Sequence, residues 1–152
     1  MSLPRFFLPV VPEDLREGVL VSLTLEAARH AQVLRLRPGD ALELAWRQGQ
    51  VWAGDVVSIR GSDWTIRLVR SLDENREWPV HIEACIPILA QLSALDDVLP
   101  GLVELGVQIF QPIIYDRSEY DEHKTKGRMD RWQRICERSA EQSHRSRLPE
   151  LR

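Results

Sequence analysis

Short apolar runs, separated by glycine, proline and charged residues, make up the first 72 positions of the chain. Five of these runs have the β-branched and aromatic content of strands, and the residues between them favour turns. The segment LEAARHAQVLRL differs, because Ala28, Ala31 or Gln32, and Leu34 to Leu36 form a short apolar stripe of helical spacing before the stop signal RPGD. The pattern predicts a small β-barrel interrupted by one helix. The strand-like runs are RFFLPV, VLVSLTL, ALELAW, VWAGDVVSI and DWTIRLV.

The pattern changes at SLDENREWP, a polar stretch from Ser71 to Pro79 that has no apolar period and indicates a linker. The run VHIEACIPIL that follows is apolar almost throughout, as is typical of strands buried on both faces of a parallel sheet. A helical segment SALDDVLPGLVELG, a second strand VQIFQPIIY and the polar loop DRSEYDEHKTKG then precede a last helix, which we expect to begin near Arg128. The predicted organisation is a barrel over residues 1–72, a linker over 73–79 and an α/β domain over 80–152.

Local signals mark the ends of the first helix in the α/β domain. Ser93, with Asp96 three residues later, fits a capping box, and Gly106 supplies a left-handed stop. Pro100, followed by Gly101, is expected to kink this helix. Two strands and two helices leave the faces and edges of a parallel sheet uncovered, so further elements are expected to continue the sheet.

Charge is distributed unevenly along the chain. The net charge is -3, which argues against a uniformly basic nucleic-acid binder. Residues 124–152 carry nine Lys and Arg against four Asp and Glu, a balance of +5, which leaves -8 for residues 1–123. A basic C-terminal segment therefore follows an acidic body, and a solvated helix face is the usual origin of such a run.

The histidines and cysteines give no catalytic or metal-binding pattern. The histidines have no spacing that would gather ligands, so no metal site is predicted. Cys85 and Cys136 offer no disulfide framework, and we predict that both are buried spectators. Asp96 and Asp97 lie in the first turn of a predicted helix, where the helix dipole is enough to explain them. The four histidines are His30, His81, His123 and His144.

Apolar runs are broken by charge or proline within a few residues, so no membrane span is predicted, and the N-terminus lacks the order of a signal peptide. These features favour a cytoplasmic protein. All eight glycines lie at or before Gly127, so no glycine-rich turn that could cradle a nucleotide or cofactor follows it. We expect no cofactor site in this chain.

The last helix carries the most informative pattern. Arg131, Arg134 and Arg138 follow the helical spacing i, i+3 and i+7, and the stripe extends through Gln142 to Arg145. Arginine matches phosphate through a planar fork of donors, and an amide can bind a base or backbone edge. Periodicity alone still favours a solvated face over a phosphate-binding one. The opposite, apolar face is formed by Trp132, Ile135, Cys136 and Ala140.

Three stretches together resemble one protein family: PRFF at Pro4 to Phe7, HAQVLRLRPGD at His30 to Asp40, and, from Glu104 onward, ELGV, DRS and RWQRICERSAEQSHRSRLPE. They are similar to the bacterial small-subunit ribosomal RNA methyltransferases that methylate N3 of a uridine, and the match follows the whole chain in order. The resemblance implies a PUA-like RNA-binding barrel followed by the first part of a trefoil-knotted SPOUT domain. It also implies S-adenosylmethionine as methyl donor, ribosomal RNA or the small subunit as partner, and a homodimer.

The resemblance also implies roles for individual residues. Arg5, His30 and Arg35 match the family's barrel motif. Glu104 matches a motif of the catalytic half and is expected to support the site, although a helix-end carboxylate can instead tie down a neighbouring backbone or arginine. No catalytic residue is assigned. The residues expected to face RNA are Arg5, His30, Arg35, Arg117, Arg131, Arg138, Gln142 and Arg145.

The sequence departs from the family's pattern at Gln91 and Gly101, where basic residues are usual, and at Pro100. Loss of two positive charges beside an RNA path lowers the phosphate-dependent part of the affinity. In the family, glycine-rich loops nearer the C-terminus hold the methyl donor, and this sequence ends at Arg152 before any of them. The resemblance therefore implies that the 152-residue chain alone is inactive.

Two other functions stay open. One is a stand-alone RNA-binding module without catalysis, and the other is a structural domain that binds proteins. A reading frame that continues beyond Arg152 with a glycine-rich segment favours the methyltransferase, whereas a stop codon there favours the RNA-binding module. The sequence fixes neither the modified nucleotide nor the oligomeric state.

Overall fold

The chain divides into a first unit, Met1–Asn75, and a second unit, Arg76–Arg152. The division falls inside the polar stretch that was expected to link two domains, and Glu77 belongs to the second unit. The computed structural model describes residues 3–72, 77, 79–88, 93–116 and 122–152, with the backbone alone described for residues 122–124.

A curled five-stranded sheet and one helix form the first unit. Their bounds are β1 (Arg5–Leu8), β2 (Leu20–Ser22), α1 (Leu25–Val33), β3 (Ala41–Trp46), β4 (Val51–Arg60) and β5 (Asp63–Ser71). The strand order is β1-β3-β4-β5-β2, in which β1 runs parallel to β3 and the other pairs are antiparallel. Register shifts in the β4–β5 pair, between Ala53 and Gly54 and between Val56 and Ser58, increase the local twist and help to curl the sheet into a half-barrel.

Alternating burial in the strands explains why this sheet has one core. Leu42 and Leu44 of β3 and Trp64, Ile66 and Leu68 of β5 are fully buried, whereas the residues between them are less buried. Successive side chains of a strand point to opposite faces, so this alternation gives the sheet one apolar face. The strands predicted from the apolar pattern are confirmed. Helix α1 covers the same core with Ala27, Ala28 and Ala31.

Helix α1 is shorter than the apolar stripe predicted. It ends at Val33, because Arg35 adopts a left-handed conformation with φ of 59°. The backbone N–H of Arg35 bonds to the carbonyl of Gln32, and that of Leu36 bonds to the carbonyl of Ala31. This is the helix-ending motif that glycine usually supplies. The prediction that the helix continues through Leu36 is therefore wrong.

A three-stranded parallel sheet and two helices form the second unit. Their bounds are β6 (Glu83–Pro87), α2 (Ser93–Glu104), β7 (Ile109–Ile113), α3 (Glu122–Gln142) and β8 (Glu150–Leu151). The strand order is β6-β7-β8, and α2 packs against α3. Strand β8 pairs in parallel with β7, which confirms that a further strand continues the sheet.

Two helix boundaries in the second unit differ in how well they were predicted. Gly106 has φ of 91°, and its N–H bonds to the carbonyl of Val103, which confirms the expected stop after α2. Helix α3 begins at Glu122 and not near Arg128, so the last part of the predicted polar loop is helical. Helix α2 is continuous through Pro100.

Buried side chains of α2 and α3, which pack against each other, contribute to the core of the second unit. Trp132, Cys136 and Ala140 are fully buried, which confirms the predicted apolar face of the last helix for three of its four residues, whereas Ile135 is half-buried. Burial, and secondarily the charge of Glu137, raises the pKa of the Cys136 thiol to about 12, so this cysteine is neutral at physiological pH. Cys85 in β6 is exposed, so the prediction that both cysteines are buried is wrong for Cys85.

Candidate nucleic-acid interface

The solvent-facing side of α3 presents a row of cationic and amide side chains. We call Arg131, Arg134, Arg138 and Gln142 the arginine face, and all four residues are exposed. Their positions repeat at helical spacing, and the buried Trp132 and Cys136 occupy the other side of the helix. The Nε of Arg134 donates to the carbonyl of Asp130, one turn earlier on the same helix. The arginine face is therefore a surface at which several arginines can meet one polyanion.

Asp96 of α2 connects this face to the core. Its Oδ2 accepts a hydrogen bond of 2.8 Å from Nε of Arg131, and its Oδ1 accepts one of 3.0 Å from the indole N–H of Trp132. Nη1 of Arg128 lies 3.8 Å from the same Oδ2. One largely buried carboxylate thus ties α2 to α3 and holds an arginine of the exposed face.

Arg145 lies outside the arginine face. Helix α3 ends at Gln142, and His144 reverses the chain with φ of 54°, so the helical stripe does not reach Arg145. The N–H of Arg145 bonds to the carbonyl of Ala140, which completes a left-handed helix end. The expected position of Arg145 on the same stripe is wrong, and its side chain is directed into the second unit, where the residue is 6% exposed.

The guanidinium of Arg145 caps the C-terminus of α2. Its Nη1 donates to the carbonyl of Val103 at 3.1 Å and to that of Val107 at 2.8 Å. A cation at this position complements the partial negative charge of a helix C-terminus. Its Nη2 and Nε donate to the carboxylate of Glu77, which completes a buried ion pair. RNA contact by Arg145 stays a prediction, and it would require these bonds to open.

Glu77 collects donors from the segment that follows α3. Its Oε1 accepts from the backbone N–H groups of Ser146 and Arg147, each at 3.1 Å, and from the hydroxyl of Ser146 at 3.0 Å. Burial by itself would raise the pKa of Glu77, but the hydrogen bond and charge of Arg145, with the bonds from Ser146 and Arg147, lower it below its usual value. We call Glu77 and Arg145 the buried node.

The lowered pKa predicts an acid-sensitive second unit. Because the folded-state pKa of Glu77 lies below the unfolded value of 4.5, its contribution to stability is present above pH 4.5 and is lost as the pH falls through the folded pKa. Hydrogen exchange of the α3 amides should show this loss. The destabilisation caused by Glu77→Gln should shrink as the pH is lowered. Glu104→Gln, a charge change at an exposed position, is the control and should change stability little. An equal effect of Glu77→Gln above and below this range would contradict the assignment.

The barrel candidates do not converge on one face of β1. The Arg5 side chain is 0% exposed and its Nη2 lies 2.7 Å from Oε2 of Glu43, its partner across the β1–β3 pair. His30 is half-buried, with its ring edge-on to Phe6 at a centroid distance of 5.4 Å. Arg5 and Phe6 are successive residues of β1, so their side chains point to opposite faces of the sheet. His30 packs against Phe6 and therefore lies on the face opposite to Arg5. Arg35 is exposed at the end of α1.

The other predicted positions give less information. Glu104 is exposed as the last residue of α2. Arg117 and Gln91 lie outside the described residues. No cluster of three or more His, Cys, Asp or Glu in the described part of the chain could hold a metal ion. None of the helices, searched over the same residues, combines the length and hydropathy needed to cross a bilayer.

Sequence reasoning missed Asp96 and Glu77 as organising residues. Each bonds to an arginine far along the chain, 35 residues away for Asp96 and 68 for Glu77, so no local spacing reveals the pair. A signal was available for Asp96. It precedes the buried Leu99 and Val103 by three and seven residues, which places it on the apolar stripe of α2, where a carboxylate needs a partner.

Comparison with known proteins matches both units. The family model described as RNA methyltransferase domain matches residues 76–152. Ribosomal RNA small subunit methyltransferase E of Synechocystis is 30% identical over 142 residues, which are 93% of this chain and 45% of that protein. The protein of the same name from Bacillus subtilis is 27% identical over 97% of this chain and 58% of its own length. The chain spans about half the length of the curated relatives it matches.

Solved structures share the fold over almost the whole chain. The ribosomal RNA small subunit methyltransferase E of Neisseria gonorrhoeae, bound to S-adenosyl methionine, matches with a TM-score of 0.88 and 29% identity. That match covers 99% of this chain and 62% of the Neisseria chain. A structure from Legionella pneumophila, in complex with the cofactor SAM, also has a TM-score of 0.88, with 27% identity over 100% of this chain and 62% of its own.

Proposed function

We propose, from the premise that this chain belongs to the RNA methyltransferase domain family, that it forms the RNA-contacting and scaffold part of an enzyme that methylates small-subunit ribosomal RNA. The observation that carries the proposal is the likeness over 99% of the chain to a small-subunit ribosomal RNA methyltransferase that holds S-adenosyl methionine. The finer proposals are N3 of a uridine as the modified atom, a PUA-like first unit, a SPOUT-type second unit and a homodimer.

S-adenosylmethionine is the proposed methyl donor of the whole enzyme. Binding an adenosyl group calls for close approach of the backbone, which favours glycine. The last glycine of this sequence is Gly127, within α3, and none follows it up to Arg152. We therefore assign no residue of this chain to the donor, and we derive no transfer step from it.

The proposed task of the second unit is to hold the RNA backbone on its arginine face. Each phosphate that an arginine neutralises releases condensed counterions, so affinity should fall steeply as salt rises. Gln142, at the end of this face, can bond to a sugar or base edge. In the first unit, the exposed Arg35 and the half-buried His30 are the proposed contacts, because Arg5 is committed to Glu43.

Charge reversal on the arginine face tests RNA binding by this chain. Arg134→Glu combined with Arg138→Glu should weaken binding of a short labelled RNA hairpin by about 10- to 100-fold and lower the salt slope by about two. Both losses should be similar for unrelated RNA sequences, because phosphates carry no sequence information. The measurement is fluorescence anisotropy over a range of salt concentrations.

The matched control is Arg147→Glu with Arg152→Glu, which changes the net charge equally at two exposed positions outside the face. This control should reduce affinity far less. Equal losses from the two double variants would mean that net charge, and not the arginine face, governs binding. Unchanged affinity in the Arg134 and Arg138 variant would remove the proposed surface.

The catalytic part of the proposal needs the protein expressed from its full gene. Labelled methyl groups should pass from S-adenosylmethionine to small-subunit ribosomal RNA, and mass spectrometry should place them on N3 of a uridine. RNA binding without any methyl transfer would instead support the stand-alone RNA-binding module.

A further inference from the structure

The bonds between α2 and α3 around Asp96 point to a function for this carboxylate beyond packing. We propose that Asp96 is a positioning residue, which holds Arg131 so that the free edge of its guanidinium faces a phosphate of bound RNA. The proposal rests on the proposed RNA-binding function and adds a residue that does not itself touch the RNA.

Trp132 fixes the carboxylate first. Its indole ring is fully buried, and its N–H donates to Oδ1 of Asp96 at 3.0 Å. A packed aromatic side chain has little freedom, so this bond sets the orientation of the carboxylate. The Asp96 side chain is 11% exposed, which leaves it little room to rotate away.

The second oxygen of Asp96 then orients Arg131. Nε of Arg131 donates to Oδ2 at 2.8 Å, while the Arg131 side chain remains 56% exposed. A guanidinium has five N–H donors in a planar fork, so use of Nε leaves donors on the Nη atoms for a second acceptor. A phosphate can accept two of these donors in parallel. Arg131 is thus exposed and oriented at once.

Orientation before binding changes the affinity. Ordering a long side chain on binding has an entropic cost that corresponds to about twofold to tenfold in affinity, and an arginine already held in place avoids much of it. An argument from net charge alone predicts the opposite effect on RNA affinity when Asp96 is removed. Removal of an acid near a phosphate-binding surface should strengthen RNA binding if charge alone matters. The sign of the change therefore separates the two explanations.

The test compares Asp96→Asn with Asp97→Asn in the 152-residue chain. Both variants remove one negative charge from the same turn of α2, but Asp97 is exposed and its substitution leaves the bonds to Trp132 and Arg131 in place. Binding of a short labelled RNA hairpin should weaken by about twofold to tenfold in Asp96→Asn. Asp97→Asn should bind the hairpin equally well or more tightly. Stronger binding by both variants would overturn the proposal.

A second pair of variants leaves the carboxylate intact. Arg131→Lys keeps the charge but removes the planar fork, so it should weaken hairpin binding about as much as Asp96→Asn. Arg134→Lys is the control, and it should change binding less, because Arg134 bonds to a backbone carbonyl of its own helix. In the Arg131→Lys background, Asp96→Asn should no longer weaken binding. A full additional loss there would show that Asp96 does not act through Arg131.

These outcomes are distinguishable from failure of the RNA-binding surface. If Arg134→Glu with Arg138→Glu leaves hairpin binding unchanged, the surface itself is wrong. If that double variant loses binding while Asp96→Asn behaves like Asp97→Asn, the surface stands and the positioning function is wrong.

Discussion

Replacement of Arg145 by methionine is expected to destabilise the second unit by about 3–5 kcal/mol, the usual cost of leaving one partner of a buried ion pair without the other. The change removes the guanidinium that pairs with the buried carboxylate of Glu77, and it removes the two hydrogen bonds that Nη1 donates to the carbonyls of Val103 and Val107. Methionine fills much of the space of the arginine stem, so the loss reports the polar contacts more than a cavity.

The free energy of unfolding, from urea denaturation followed through α3, measures this effect. Arg147→Met is the matched control, because Arg147 is exposed and contributes its backbone N–H to Glu77. It should change stability by less than about 0.5 kcal/mol. Adding Glu77→Gln to Arg145→Met should restore part of the loss, since the buried negative charge is then gone. Similar stability of the Arg145→Met and Arg147→Met variants would contradict the buried node.

Truncation of Glu43 to alanine is expected to destabilise the first unit by about 3–5 kcal/mol for the same physical reason. Glu43 is the carboxylate that Arg5 contacts through both Nε, at 2.8 Å, and Nη2, at 2.7 Å. The Arg5 side chain is 0% exposed, so truncation of Glu43 removes a counter-charge from a guanidinium that is shielded from water. We expect the destabilisation to act first on the pairing of β1 with β3, which is parallel and spans four residues.

Hydrogen exchange of the β1 and β3 amides shows whether the loss of stability is greatest near the Arg5–Glu43 pair or is uniform across the first unit. Glu13→Ala, at an exposed position of the same unit, is the control and should leave exchange unchanged. The exchange rates of the β1 and β3 amides in Glu43→Gln should lie between those of Glu13→Ala and Glu43→Ala. The glutamine amide oxygen can still accept a hydrogen bond from Arg5, but it carries no charge. In Glu43→Ala the increase in exchange rate is expected to be largest in β1 and β3. Unaltered exchange there would mean that the ion pair contributes little.

Features encoded by nearby residues were predictable from the sequence. The alternation of Leu42 and Leu44, or of Trp64 and Ile66, identifies a half-buried strand without knowledge of its neighbours. Gly106 identifies the end of α2, because glycine adopts a left-handed conformation at little cost.

Helix ends without glycine were not predictable in the same way. Arg35 and His144 adopt the same left-handed conformation, with φ of 59° and 54°, although a side chain makes it less favourable. Both residues lie within a run of residues with helical spacing. The sequence pattern therefore predicted later ends for α1 and α3 than the structure shows. The error at His144 is what placed Arg145 on the arginine face.

The functions of the arginines depend on distant partners, which periodicity cannot reveal. Arg131 and Arg145 both looked like RNA contacts. The first is exposed and held by Asp96, whereas the second is buried against Glu77. Glu77 comes from a segment that carries no sequence signal for its pairing. The place of Asp96 on the apolar stripe of α2 indicates that it needs a partner, but not which one. The basic balance of the C-terminal segment therefore overstates the charge available to RNA, since part of it neutralises the interior.

The position of the buried node in the chain has a consequence for folding during synthesis. Arg5 and Glu43 are 38 residues apart, so their pair can close early, while Glu77 must wait for Arg145, 68 residues later. At typical translation rates this separation corresponds to about 3 to 14 seconds. During that time the carboxylate of Glu77 and the carbonyls of Val103 and Val107 lack the hydrogen bonds from Arg145. Nascent chains that stop before Arg145 can therefore complete the Arg5–Glu43 pair of the first unit but not the buried node of the second.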